Sequence, residues 1–155
     1  MQIFVLRHGQ AESQITTDEA RNLTEKGRRD IATSVNYSLS DLKNVQEIWA
    51  SPLVRAQQTA QIVRDILLAQ GMQVDIKTSA LIKPESDPNG LFDSLQQTSA
   101  DSVLLASHQP FVGNFIDSFC GDEPGFHPMS TSSMALIECA VAAKACGELR
   151  WLRHV

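Results

Sequence analysis

Residues 2–9 read QIFVLRHG, a stretch that joins an apolar run directly to a basic pair. The apolar and β-branched side chains of residues 3–6 are typical of a buried strand. The run is too short to span a membrane and has no basic region before it, so we expect neither a membrane span nor a signal peptide. Arg7 and His8 follow at once, and Gly9 allows the backbone to turn sharply and approach a ligand. The stretch therefore predicts a buried strand that ends in a functional loop.

Further strands are indicated by similar runs, which lie at residues 47–50, 74–77, 102–106, 134–141 and 148–152. Apolar side chains at helical spacing form three sets, namely Ile31, Val35 and Leu39; Thr59, Ile62, Val63, Ile66 and Leu67; and Val112, Phe115, Ile116 and Phe119. Because strands and helices alternate, we predict an α/β fold, a three-layer α/β/α sandwich with a mostly parallel central sheet. Residues 142–147 lack a clear crossover helix, so the last two strands are predicted to form an antiparallel edge.

Helix ends are marked by capping residues. Thr24 is suited to begin one helix, and Ser51-Pro52 has the pattern of an N-cap followed by the first helical residue. Gly71 and Gly121 stand where two helices are expected to stop. Residues 84–90 contain proline, glycine and polar side chains, so we predict an exposed loop there.

Composition limits the classes of function. With 155 residues, 43% of them hydrophobic, we expect one domain over residues 1–155 that acts as a monomer. The formal net charge of -5 argues against a nucleic-acid or anionic-membrane partner, because both require a basic face. The three cysteines have no zinc-type spacing, so we expect a cytoplasmic protein without a bound metal; they are Cys120, Cys139 and Cys146.

Basic residues follow three of the predicted parallel strands, at the sheet edge where α/β folds bind ligands. These residues are Arg7 and His8 after the first strand, Arg55 after the second, and His108 after the fourth. Two guanidinium groups in an acidic protein imply a compact anion, and a phosphoryl group fits them best. Arg55 lies in the first turn of its helix, where the macrodipole disfavours a cation unless an anion is bound.

His8, at the end of its strand, is placed to attack phosphorus as a nucleophile. Arg7, Arg55 and His108 would stabilise the charge on the phosphoryl oxygens, so no metal is required. His127 and His154 lack such a placement, and we interpret both as structural. The pair Arg28-Arg29 is interpreted as part of a solvated helix face.

Four motifs occur in order along the chain, namely LRHGQ at 6–10, LTEKG at 23–27, SPLVRAQQT at 51–59 and SHQP at 107–110. Together they resemble the histidine phosphatase superfamily, whose RHG motif is Arg7-His8-Gly9 here, over essentially the whole chain. The resemblance implies a phosphoglycerate-mutase-like fold and no cofactor. It makes His8 the nucleophile and places Arg7, Gly9, Arg55 and His108 around the phosphoryl group. Residues 131–133 match a segment that lies near the second histidine in related enzymes and are expected to support the site.

The compact length resembles the small bacterial SixA-type protein phosphohistidine phosphatases of that superfamily. Larger members carry a glutamate as general acid in the loop after the third strand, where this chain has Ala80. Glu85 or Asp87 is the candidate substitute. A phosphohistidine substrate needs less acid help, because imidazole leaves far more readily than an alkoxide. The resemblance therefore implies a phosphoprotein substrate, either a histidine-containing phosphotransfer domain or a phosphotransferase-system protein.

Two other functions are compatible with the same residues. A small-molecule phosphomonoesterase would keep the His8 chemistry and use Glu85 or Asp87 as its acid. A phosphate-binding adaptor would keep the pocket without turnover. The presence of the nucleophile, both arginines and the second histidine favours an active enzyme over an adaptor.

Overall fold

A single six-stranded sheet forms the centre of the computed structural model, which describes residues 1–155. Its strands are β1 (Gln2–Arg7), β2 (Glu47–Ala50), β3 (Asp75–Thr78), β4 (Ser102–Ser107), β5 (Met134–Cys139) and β6 (Gly147–Arg153). They lie in the order β3-β2-β4-β1-β5-β6. The pairs from β3 to β1 are parallel, whereas β5 and β6 add an antiparallel edge. The predicted sheet is confirmed, although β5 ends two residues earlier than the sequence pattern indicated.

Five helices accompany the sheet, and they are α1 (Glu25–Tyr37), α2 (Leu39–Leu42), α3 (Val54–Ala69), α4 (Gly90–Gln97) and α5 (Phe111–Cys120). Thr24 caps α1 as predicted, because its hydroxyl accepts a hydrogen bond from the Gly27 amide at 3.0 Å. Gly121 ends α5 in the left-handed conformation, with φ of 78°. None of the helices is both long and apolar enough to cross a bilayer.

The start predicted for α3 is wrong. Its N-cap is Leu53, two residues beyond the predicted Ser51, and the helix begins at Val54. The hydroxyl of Ser51 lies 2.7 Å from a ring nitrogen of His108, so it contributes to the candidate site instead of serving as the helix N-cap.

Helix α4 is absent from the sequence prediction. It begins at Gly90, the last residue of the predicted loop, and buries Leu91, Phe92 and Leu95. Two turns of helix give too few apolar repeats to stand out against the preceding cluster of proline and polar residues.

Helices cover both faces of the sheet and form a separate apolar core on each. Along β1, Ile3 and Val5 belong to the core beneath α4 and α5, whereas Phe4 and Leu6 belong to the core beneath α1 and α3. All four side chains are fully buried, since alternate residues of a strand point to opposite faces. This arrangement explains why β1 is a continuous apolar run, and it confirms the three-layer α/β/α sandwich.

Parallel pairing brings the carboxyl ends of β1, β2 and β4 to one edge. Arg7 pairs in register with Ser107, and Ala50 pairs with Ala106. The residues that follow these strands therefore emerge side by side, as the sequence predicted.

Candidate active site

Side chains from three elements meet at this edge. His8 follows β1, His108 follows β4 and Arg55 is the second residue of α3; all three are buried, with exposed fractions of 7%, 1% and 4%. The Nε of Arg55 lies 3.2 Å from Nε2 of His8, and the two imidazole rings are 5.0 Å apart between centroids. The structure thus brings these predicted residues into one buried cluster.

The ring of His8 is oriented by the backbone. Its Nδ1 lies 2.7 Å from the Gly9 carbonyl oxygen, which can only accept, so Nδ1 carries the proton. The pKa of His8 is lowered to about 4, mainly by burial and also by Arg55, Arg7 and Arg21, whereas the Gly9 hydrogen bond acts in the opposite direction. His8 is therefore neutral at pH 7, and the lone pair of its Nε2 accepts a hydrogen bond from Arg55 Nε.

Gly9 has a packing role that the sequence did not reveal. A Cβ atom at this position would lie 2.6 Å from the Gly27 carbonyl oxygen. The Gly9 amide also donates a long hydrogen bond to Thr59 Oγ1, at 3.4 Å. Glycine at position 9 thus lets the loop after β1 pack directly against the start of α1.

Arg7 is held by the segment that precedes β5. Its Nη1 donates to the Met129 carbonyl oxygen at 2.6 Å, and its amide donates to the Ser133 carbonyl oxygen at 3.0 Å. The amide of Ser132 in turn donates to the His8 carbonyl oxygen. Within residues 131–133, which were predicted to support the site, Ser132 and Ser133 thus contact the backbone of the Arg7-His8 pair. The Nε of Arg7 is buried without a partner, and burial together with Arg55 lowers the pKa of this guanidinium.

His108 is bound on one ring nitrogen only. Its Nε2 lies 2.7 Å from Ser51 Oγ, whereas its Nδ1 is buried without a partner. The pKa of His108 is lowered to about 3, mainly by burial and also by the neighbouring His8, Arg55 and Arg7, whereas the Asp18 carboxylate acts in the opposite direction. His108 is therefore a neutral imidazole at pH 7.

Asp18 is a member of the site that sequence reasoning missed. Its carbonyl oxygen accepts from Arg55 Nη1 at 2.8 Å, and its carboxylate accepts from Arg55 Nη2 and from Arg21, each at 3.1 Å. Burial raises the pKa of the Asp18 carboxyl, but the hydrogen bonds from Arg21 and Arg55 outweigh it and hold the pKa below its usual value. The segment around Asp18 has no helical or strand periodicity, so no sequence signal identified it.

The two candidate acids lie outside this cluster. Asp87 accepts two hydrogen bonds from Asn89, at 2.9 and 3.1 Å, in a local turn. Glu85 lines a cleft of about 190 Å³ together with Asp18 and Glu19. Neither Glu85 nor Asp87 forms a hydrogen bond or ion pair with His8 or His108.

The remaining basic residues have the structural surroundings predicted for them. His127 Nδ1 lies 2.8 Å from a carboxylate oxygen of buried Asp117, and His154 Nδ1 lies 2.7 Å from Ser133 Oγ. Arg28 and Arg29 are exposed on α1. No group of three or more histidine, cysteine or acidic side chains is arranged to hold a metal ion.

Comparisons with known proteins agree with this geometry. A model of the histidine phosphatase superfamily (branch 1) matches residues 3–78. Phosphohistidine phosphatase SixA of Escherichia coli (strain K12) is 28% identical over 158 residues, covering 97% of this chain and 92% of that protein. The SixA homolog of Haemophilus influenzae is also 28% identical, over 86% of this chain and 87% of its own. A solved structure of the protein histidine phosphatase SixA complexed with tungstate superposes with a TM-score of 0.84 at 27% identity, covering 98% of this chain and 96% of that one. Residues 3–78 thus match the histidine phosphatase superfamily, branch 1, and the chain over nearly its whole length is similar to the SixA proteins.

Proposed function

We propose that this protein is a phosphohistidine phosphatase that takes a phosphoryl group onto His8 and then releases it to water. The observation that carries the proposal is a neutral, buried His8 whose Nε2 lies 3.2 Å from Arg55 Nε, while two buried nitrogens of the neighbouring basic side chains lack partners. Those nitrogens are Arg7 Nε, which is a donor, and His108 Nδ1, which donates when it carries the proton of the ring. An anion with several oxygens would satisfy them together.

In the first step, the lone pair of His8 Nε2 attacks phosphorus. The new Nε2–P bond forms while the bond from phosphorus to the substrate nitrogen breaks, and the electron pair returns to a substrate ring that is protonated on its other nitrogen and so leaves as neutral imidazole. Arg7, Arg55 and His108 stabilise the charge on the equatorial oxygens. The Gly9 carbonyl, 2.7 Å from His8 Nδ1, stabilises the positive charge on the phosphorylated ring.

In the second step, a water oxygen attacks phosphorus from the opposite side. The Nε2–P bond breaks, its electrons return to His8, which is again neutral with its proton on Nδ1, and both protons of the water leave on the inorganic phosphate. The same three cationic or donor groups bind the transferring oxygens in both steps, so one site performs both halves of the reaction.

The lack of an effective proton donor at the site favours phosphohistidine over an alkyl phosphate as the substrate. Asp18 is the carboxylate that contacts the cluster, and its lowered pKa keeps it ionised, so it is a poor proton donor. Ala80 stands where larger relatives have a glutamate, and neither Glu85 nor Asp87 contacts the two histidines. Imidazole, with a pKa of about 6.5, leaves without strong acid help, whereas an alkoxide does not. The relatives that bear the name phosphohistidine phosphatase support the same substrate.

The proposed partner is a phosphorylated histidine on another protein, either a histidine-containing phosphotransfer domain or a phosphotransferase-system protein. We propose that the enzyme acts as a monomer in the cytoplasm. The presence of free Cys120, Cys139 and Cys146 supports a reducing compartment.

A comparison of substrates tests the proposal. Hydrolysis rates would be measured for a phosphorylated phosphotransfer domain and for a panel of sugar phosphates, with Glu85→Gln, Asp87→Asn and the exposed control Asp93→Asn. We expect the phosphohistidine protein to be hydrolysed faster, and all three variants to retain wild-type rates on it. Faster turnover of a sugar phosphate that is lost in Glu85→Gln or Asp87→Asn would instead establish a small-molecule phosphomonoesterase.

A further inference from the structure

Ser51 stands next to the site without belonging to the groups that face the phosphoryl oxygens. It follows β2 directly and is fully buried. Its amide donates to the Ala106 carbonyl oxygen at 3.0 Å, and its carbonyl oxygen accepts from Gln57 Nε2 at 2.8 Å. With the backbone fixed on both sides, its hydroxyl lies 2.7 Å from His108 Nε2.

The tautomer of His108 decides what its ring offers to a ligand. Burial and the surrounding cations lower its pKa to about 3, so the ring is neutral at pH 7 and carries one N–H. If that proton is on Nε2, the buried Nδ1 presents a lone pair, which repels an anion. If the proton is on Nδ1, the ring donates a hydrogen bond to an anion without being charged.

The hydrogen bonds of Ser51 discriminate between these two states. Its Oγ accepts weakly from the Leu53 amide at 3.5 Å, and His108 Nε2 is its other partner. If Nε2 carried the proton, Ser51 Oγ would accept twice and its own buried hydrogen would have no acceptor. If Nε2 is unprotonated, the Ser51 hydroxyl donates to it, and both of these groups have a hydrogen-bond partner. Only Nδ1 of His108 then lacks a partner, and it is available to a ligand.

We propose that Ser51 is a positioning residue that donates its hydroxyl proton to His108 Nε2 and so holds His108 in the Nδ1–H tautomer. The neutral ring then donates from Nδ1 to a phosphoryl oxygen. The inference rests on the proposed function only for the identity of the anion. The groups that act on the charge of this ring are His8, Arg7 and Arg55, which disfavour its protonation, and Asp18, which favours it.

Nitrogen-15 NMR of the histidine rings tests the proposal without any turnover. Tautomers are distinguished by which ring nitrogen has the shift of a protonated nitrogen, and His108→Gln identifies the signals. We expect His108 in the free wild-type protein to be protonated on Nδ1, Ser51→Thr to preserve that state, and Ser51→Ala to move proton density to Nε2. A wild-type His108 protonated on Nε2 would overturn the proposal, whether or not Ser51→Ala folds.

Affinity for tungstate, a tetrahedral oxyanion, provides the second measurement. We expect Ser51→Ala to weaken binding about tenfold or more, a loss typical of one charge-assisted hydrogen bond, and Ser51→Thr to restore most of it. Ser102→Ala is the matched control, because Ser102 is buried at the start of β4 and its hydroxyl has no partner. Equal tungstate affinities for folded Ser51→Ala and Ser102→Ala would contradict the inference. A protein that shows the expected tautomer and binds tungstate but hydrolyses no phosphohistidine would disprove the proposed function alone.

Discussion

Two regions of this molecule surround histidine side chains in opposite ways. At the carboxyl edge of the sheet, His8 and His108 lie among arginines, and a ring nitrogen of His108 is left without a partner. In the loop after α5, His127 is paired with Asp117, whose carboxylate also accepts from the amides of residues 125, 126 and 127. Complete pairing is typical of a structural role, whereas buried donors that lack partners indicate a site completed by a ligand. The following predictions test that difference.

The largest effect is expected from removing the nucleophile. His8→Ala should abolish turnover, because it removes the nitrogen that takes up the phosphoryl group in the proposed reaction. His127→Ala should lower stability but leave the rate of the folded protein within about threefold of wild type. Steady-state hydrolysis of a phosphohistidine protein, with folded fractions checked by circular dichroism, measures both. A comparable loss of activity in the two folded variants would contradict the assignment of His8 to catalysis and of His127 to structure.

Loss of a phosphoryl-binding group should have a smaller effect. Arg55→Ala and His108→Ala are each expected to lower kcat/KM by a factor of about 10²–10⁴ through lost charge stabilisation. Arg29→Ala, on the exposed face of α1, is the control and should be unchanged. If Arg55→Ala retained wild-type kcat/KM, Arg55 would not bind the transferring group.

The two buried histidines also predict a pH dependence of stability. A histidine whose pKa is lower in the folded state than the unfolded value of about 6.5 binds its proton more readily when unfolded. Stability is therefore complete above about pH 6.5 and falls as the pH drops towards the folded pKa, about 4 for His8 and about 3 for His108.

Denaturant unfolding at pH 7 and pH 4.5 checks this expectation. The wild-type protein should lose about 2 kcal/mol more than His8→Gln over this interval. Carboxylates such as Asp18 titrate in both proteins, so the difference isolates the histidine. Equal losses in the two proteins would mean that the pKa of His8 is not lowered by folding.

The smallest effect is expected from metal removal. The proposed reaction uses only side chains of this chain, so EDTA should leave kcat and KM unchanged. The assay would use protein dialysed against the chelator and a phosphohistidine substrate, with added Mg²⁺ or Zn²⁺ in parallel. A rate that requires either ion would contradict the metal-free mechanism.

The sequence was most informative where basic residues directly follow an apolar run that is typical of a strand. The apolar run before Arg7-His8 predicted β1, and the basic residues after successive strands predicted the cluster, because parallel strands bring their ends to one edge. Gly121 predicted the end of α5, because the helix ends in a left-handed backbone conformation that residues with a side chain rarely adopt.

The contacts of Asp18 and Ser51 could not be predicted from the sequence. Asp18 reaches Arg55 from a three-residue 3-10 helix, Asp18–Ala20, which is too short to leave a periodic pattern in the sequence. Serine is a residue type favoured at helix N-caps, so the sequence predicted that role for Ser51. Its hydroxyl instead contacts His108, which the tertiary fold brings close to it. The eight residues of α4 were too few for a helical pattern to emerge.

Trapping the phosphorylated enzyme tests the central claim most directly. Labelled substrate and enzyme would be mixed, quenched in alkali within milliseconds and digested, and the labelled peptide identified by mass spectrometry. We predict label on His8, attached through Nε2 by an alkali-stable and acid-labile bond, and none in His8→Ala. Stoichiometric label on any other residue, or turnover without a labelled enzyme, would contradict the account.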